Sequence, residues 1–258
     1  MEILGYVGAL FIGLVLGLTG GGGSILTVPI LVYLMSINPV TATAYSLFIV
    51  GTTSTFGAIQ NYRKNLVDIK NGFIFAIPSF IAVYLTRKYI VPEIPKVIIE
   101  SPILITKDTF LMLFFAVIMV FGALSVLKKK SQNTNSEEKR NLILIGIQTF
   151  TIGIIIGLVG AGGGFLIIPS LILFAKLPMR KAVGTSLFII AMNSLVGFIG
   201  DVQNLEIDWL FLLTFSAISV AGIFLGMYLT KYTNETQLKK IFAYFVLFMA
   251  AIILLKEM

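Results

Sequence analysis

Apolar residues run in long stretches along this chain, separated by short polar or glycine-rich breaks. The stretches are Ile3–Leu18, Ser24–Met35, Thr41–Tyr62, Gly72–Leu85 and Thr109–Leu127, then Leu142–Leu158, Phe165–Ala175, Ala182–Gly200, Trp209–Thr230 and Leu238–Leu255. At about 1.5 Å per helical residue they are long enough to cross or enter a hydrocarbon core of about 30 Å. The pattern predicts helices throughout and a bilayer as the solvent. One strongly hydrophilic segment, Lys128–Arg140, falls near the middle and reads as a linker between residues 1–127 and 141–258.

The two sides of that linker are copies of each other. An ungapped offset of 140 residues lays Gly17, Gly20, Gly22, Gly23 and Pro29 on Gly157, Gly160, Gly162, Gly163 and Pro169. It carries Ala42, Ser46, Leu47, Phe48, Ile49, Ser54 and Gly57 onto Ala182, Ser186, Leu187, Phe188, Ile189, Ser194 and Gly197, and Asp68 onto Asp208. Hydrophobicity alone does not enforce matched Gly, Pro and Ser. Internal duplication of this kind is a frequent transporter construction, with the substrate site at the repeat interface.

Charge indicates how the copies are oriented. The run Ile3–Met35 is too long for one span, and its glycines break it; folded back as a hairpin, it leaves each half an odd net number of crossings, so the second copy is inverted. On that reading one side collects Arg63, Lys64, Lys70, Lys128, Lys129, Lys130, Lys139, Arg140, Lys176, Arg180, Lys181, Lys231, Lys239 and Lys240. Only Arg87, Lys88, Lys96, Lys107 and Lys256 are left for the other side. Parallel copies would show almost no bias, so the positive-inside rule favours inversion with a cytoplasmic linker 128–140. Equivalent loops agree: Ser36–Val40 is uncharged, whereas its counterpart holds Lys176 and Arg180, with Lys181 directly after them. The expected fold class is therefore an all-α polytopic membrane protein of two inverted repeats, each a glycine-broken hairpin, re-entrant or of short helices, plus three transmembrane helices.

Composition sharpens the picture. Of 258 residues, 57% are hydrophobic and 12% charged, half the charged share of a soluble domain, and mean hydropathy is +0.99. The net charge of +7 lies between apolar stretches, which favours membrane orientation over a nucleic-acid partner. With neither cysteine nor histidine, disulfides, thiolate chemistry and imidazole metal sites drop out, and no cofactor is expected. The first apolar stretch has no basic region before it and no small-residue cleavage site, so it is expected to be retained.

The glycine breaks carry the candidate chemistry. Gly17–Ser24 reads Gly-Leu-Thr-Gly-Gly-Gly-Gly-Ser and Gly157–Gly164 reads Gly-Leu-Val-Gly-Ala-Gly-Gly-Gly. Gly costs about 1 kcal/mol relative to Ala inside a helix, so such runs at membrane depth indicate non-helical backbone, tolerated only where buried in protein or lining a wet cavity. A helix starting after each break would aim backbone N–H groups and a positive dipole end inward, suited to an anion. The candidate binding residues are Thr19, Gly20, Gly21, Gly22, Gly23 and Ser24 with Gly160, Ala161, Gly162, Gly163 and Gly164. The alternative is that these glycines serve close helix packing. A P-loop is excluded because no Lys-Ser/Thr follows.

Ser46, Thr53, Gly57 and Asn61 share one helix face, repeated by Ser186, Asn193, Gly197 and Asp201. Ser46, Thr53, Asn61, Ser186 and Asn193 are added to the candidate site as hydroxyl and amide donors, although the same stripe would serve helix packing. The glycine-flanked segments contain no Asp, Glu, Lys or Arg, so no intramembrane carboxylate offers itself as a proton carrier. The parts for acid–base, nucleophilic or metal catalysis are missing, which argues against an enzyme. A non-transporting scaffold would leave the breaks without purpose.

The break-plus-proline segments Thr19–Pro29 and Val159–Pro169, with Ala-x-x-x-Ser-Leu at Ala42–Leu47 and Ala182–Leu187, resemble the sulfite exporter TauE/SafE family, the TSUP permeases. The resemblance spans essentially the whole chain. It implies a multi-pass permease of a prokaryotic plasma (inner) membrane that moves sulfur-containing anions such as sulfite or organosulfonates by alternating access. Protons or another ion would be the coupling partner. A homodimer is left open, and an anion channel or a carrier of another small anion is the alternative.

Overall fold

Apolar runs become helices where their breaks delimit them. The computed structural model describes residues 2–99, 105–127, 142–160, 162–202, 205–230, 232 and 235–257, so the linker at 128–140 and Ala161 lie outside the described residues. Helix α1 (Glu2–Thr19) ends at Gly20, whose φ of 75° only glycine adopts without strain. Thr19 ties off the turn: its hydroxyl donates to Val15 O (2.8 Å) and accepts from the Gly22 N–H (3.0 Å). Helix α2 (Ser24–Pro29) then runs back, passing after Pro29 into a π-helical turn, Ile30–Leu34.

The return is antiparallel along almost all of α1. Gly23 lies against the backbone of Ile12 and Leu16, Gly8 against Ile30 and Gly5 against Met35. The chain is therefore back near its starting end when α3 (Pro39–Arg63) begins, capped by Asn38 Oδ1 on the Val40 N–H. Next come α4 (Ile69–Leu85), a π-helical turn at Thr86–Ile90 and the short α5 (Val91–Glu93). A two-stranded antiparallel ladder follows, β1 (Val97–Ile99) with β2 (Ile105–Thr106), and then α6 (Lys107–Leu127). This ladder is the one departure from helix among the described elements.

The second half repeats the plan with α7 (Leu142–Val159), α8 (Gly164–Leu173), α9 (Met179–Asp201), α10 (Trp209–Leu229) and α11 (Glu235–Glu257). Asp68 and Asp208, paired by the 140-residue offset, cap α4 and α10 by accepting the Asn71 and Phe211 N–H groups, each at 3.0 Å. The halves interlock. Helix α1 packs on α10 of the other half through Gly13 and Gly17, and α7 packs on α4 through Gly153 and on the π-helical turn after it through Gly157. Helices α3 and α9 cross at the centre, and α6 lies on α11.

Contacts between halves recur with partners exchanged, as they do across a two-fold axis. Thr53 Oγ1 donates to Ser219 Oγ (3.0 Å), and Ser79 Oγ donates to Asn193 Oδ1 (2.9 Å). The Asp68 N–H donates to Thr185 Oγ1 (2.9 Å), and the Asp208 N–H donates to the Tyr45 hydroxyl (2.7 Å).

Among the described residues, four helical segments are long and apolar enough to cross a membrane: Ile69–Glu93, Lys107–Leu124, Met179–Asp201 and Trp209–Leu229. Shorter apolar helices include Leu4–Thr19 and Ser24–Leu34. Helix α3 is as long but less apolar, because Thr43, Ser46, Thr53, Ser54 and Asn61 are buried in protein. The outer faces carry Leu4, Phe121, Ile143, Leu210, Tyr244 and Leu255 exposed, an apolar exterior that suits lipid. The chain is thus a multi-pass helical membrane protein.

Candidate functional site

The two glycine breaks meet. A Cβ placed on Gly21 would lie 2.6 Å from Gly164 Cα and 2.8 Å from its carbonyl carbon, so the first break touches the start of α8 backbone to backbone. Gly162 and Gly163 both have positive φ, 65° and 69°, and Gly162 abuts Val50 of α3 and the Ser194 hydroxyl of α9. Gly20 sits against Val183 near the start of α9, and its carbonyl accepts from Ser186 Oγ at 2.6 Å. Gly160 sits correspondingly against Thr43 near the start of α3. Ser24, buried, donates to the Gly21 carbonyl (2.7 Å) and so braces the first break from within.

The predicted donors on α3 and α9 differ in what they bond. Ser46 and Ser186 each lie about two turns into their helix, but only Ser186 has found a partner; Ser46 Oγ is buried with none. Ser54 Oγ, Ser194 Oγ and Asn193 Nδ2 are likewise buried without hydrogen-bond partners. Such orphans are rare in native interiors, because each forfeits about 1–3 kcal/mol of desolvation. Thr53 faces α10 instead, spending its donor on Ser219, and Asn61 donates to Gly57 O and to Met227 Sδ. The Gly22 N–H is already used by Thr19. A cleft of about 10 Å³, room for one water, opens beside Ser79, Thr149 and Ser170, too small for an oxyanion.

Sequence reasoning missed the charge at this site. Arg87 was expected on an outer loop, and the spans were expected to hold no carboxylate near the breaks. The helix begun at α4 instead continues through its π turn, and Arg87 is fully buried, with Asp201 Oδ2 3.3 Å from Nη1. Nη1 also donates to Thr43 Oγ1 at 3.0 Å, and Nη2 occupies the place a side chain on Gly160 would take. A readable signal existed: Ser79, Ala82, Val83, Thr86 and Arg87 continue one buried helical face beyond the apolar run. Chemically, the corner at Gly160 and Thr43 holds a buried guanidinium whose charge is balanced by the Asp201 carboxylate, and α3 and α9 add buried hydroxyl and amide donors. Among the described residues, no cluster of metal-ligating side chains accompanies it.

The sequence pattern of the family described as "Sulfite exporter TauE/SafE" matches residues 6–253. The chain belongs to this family. A TauE/SafE relative in Xylella fastidiosa (strain 9a5c), named "Probable membrane transporter protein", is 26% identical over 246 residues, covering 93% of this chain and 89% of the relative. The "Probable membrane transporter protein YdhB" of Bacillus subtilis (strain 168) is 28% identical over 229 residues, 86% of either chain. No solved structure matches the chain. Membership makes this TauE/SafE protein a membrane transporter and not an enzyme.

Proposed function

We propose that the protein is a secondary carrier of small sulfur-containing anions, sulfite or an organosulfonate, working by alternating access and coupled to an ion gradient. The observation that carries this is the junction itself: two backbone breaks in contact at Gly21 and Gly164, with the unpartnered Ser194 hydroxyl beside Gly162 and further buried, unpartnered donors, Ser46, Ser54 and Asn193, on α3 and α9. Sulfite and sulfonates present several acceptor oxygens on a compact centre, and a set of preformed donors replaces their hydration. The substrate class follows the family description; the donors supply the physical reason for it.

The topology we propose is inverted. The antiparallel return of α2 along α1 brings the chain back to its starting side, and the three crossings that follow, α3, α4 with its extension, and α6, leave residues 1–127 with an odd number of passes. Residues 141–258 then thread the other way, with the basic linker cytoplasmic, in the inner membrane of a prokaryote. Two inverted hairpins touching at one backbone contact are parts suited to rocking: opening on either side of the Gly21–Gly164 contact exposes the same donors alternately.

The test is uptake into proteoliposomes of labelled sulfite, sulfoacetate, taurine and chloride, with and without an imposed pH gradient. Saturable, gradient-driven accumulation of a sulfur oxyanion is expected. Conductive flux without accumulation would mark a channel, and no flux of any of the four would refute the proposal.

A further inference from the structure

The corner around Arg87 has a neutral twin. The 140-residue offset pairs Arg87 with Met227, Asp201 with Asn61, Thr43 with Val183 and Gly160 with Gly20. Both corners are built alike: Asn61 Nδ2 lies 3.4 Å from Met227 Sδ, as Asp201 Oδ2 lies 3.3 Å from Arg87 Nη1, and Gly20 rests on Val183 as Gly160 rests on Thr43. The fold therefore closes this corner without charge in one half. A buried ion pair is often no more stabilising than apolar residues of the same volume, so packing gives no reason for Arg87 and Asp201 in the other half.

The ion pair is also incomplete. Asp201 Oδ2 is near enough for charge attraction, yet it makes no hydrogen bond. Of the guanidinium, only Nη1 is engaged, by Thr43; Nε and Nη2 are buried with no partner. Those two groups are the edge of arginine whose N–H bonds point in parallel, the fork that accepts two oxygens of one oxyanion. Nη2 lies directly against Gly160, and one turn along α3 from Thr43 the Ser46 hydroxyl is also without a partner.

We propose that Arg87 binds the substrate's negative charge: its Nε and Nη2 take two oxygens of one sulfonate or sulfite group at the Gly160 break. Ser46 serves a third oxygen, and Asp201 is the counter-charge that steadies the guanidinium through Nη1. The inference rests on the carrier reading and adds to it the charged residue and the oxyanion geometry it selects. It also makes the two ends of the pathway chemically unequal, charged at Gly160 and neutral at Gly20.

The test transplants the neutral corner. The double variant R87M/D201N rebuilds the pair already present at Met227 and Asn61, so it should insert and melt at or above the parent temperature. Sulfoacetate binding to the purified full chain, measured by titration in nanodiscs, should weaken roughly a hundredfold or more in that variant. R87K keeps the charge and loses the fork, so its preference for sulfoacetate over chloride should drop at least about tenfold while chloride binding persists. Parental sulfoacetate affinity in the double variant overturns the inference, as does an R87K that loses sulfoacetate and chloride equally. A parent that binds neither of these anions, nor sulfite or taurine, overturns the carrier reading along with it.

Discussion

The contact between the two breaks can be strained by one methyl group. Gly21 does not have positive φ, so alanine is conformationally allowed there, and the effect of Gly21→Ala is steric. The new Cβ would fall 2.6, 2.8 and 3.0 Å from Gly164 Cα, C and O, all backbone atoms that no rotamer change can move. Carbon contacts settle at about 3.5–4.0 Å, so the two backbones must part by about 1 Å. Overpacking of this kind costs about 1–3 kcal/mol. Gly146→Ala is the control: nothing lies within 4 Å of its Cβ, and alanine in that helix should stabilise by up to about 1 kcal/mol. Thermal melting in detergent should then place Gly21→Ala below the parent and Gly146→Ala level or above, with oxyanion uptake lost only in the former. Gly164→Ala drives the same backbones apart, so the double variant should cost less than the sum, with a coupling of about 0.5–3 kcal/mol. If Gly21→Ala melts and transports like Gly146→Ala, or if the two contact mutations add, the breaks do not bear on each other as described.

Other expectations are independent of that contact. Asp201→Asn alone strands a buried guanidinium and should destabilise by about 3–5 kcal/mol, visible as a lower melting temperature than that of R87M/D201N. Ser79→Ala leaves both ends of the Asn193 amide without hydrogen bonds, at about 1–3 kcal/mol by denaturant melting. Ser219→Ala should cost less, about 0.5–1.5 kcal/mol, because the Thr53 hydroxyl can turn to a carbonyl of its own helix. The chain lacks cysteine, so single cysteines at Asn65 and Leu205, equivalent loop positions, report topology directly. A membrane-impermeant thiol reagent should reach them from opposite sides; labelling from the same side would mean parallel repeats.

How much was readable in advance differs from residue to residue. Asp68 and Asp208 announce helix starts through local chemistry, since a side-chain acceptor beside free N–H groups needs no distant partner. Gly20 and Gly160 announce breaks for the same reason: positive φ is a property of one residue. Arg87 was misread because hydropathy falls at Leu85, whereas the helix carries on and turns the charge into protein. The donors were legible as a stripe on α3, but Ser46 is an orphan and Ser186 is bonded, although the two occupy equivalent places. That difference arises from the opposite half and leaves no trace in either segment.

The chain by itself determined where most helices lie, where the glycines break them, and that two copies of one unit are present. Those are consequences of backbone dihedrals, capping and the cost of carrying polar groups into oil, all of which act within a few residues. Only the tertiary structure decided that α1 lies on α10, that α7 lies on α4, and that Arg87 faces Gly160. Lipid and neighbouring helices are equally apolar, so hydropathy records distance from water and is silent about which helix supplies the shelter; packing of small residues and paired donors makes that choice.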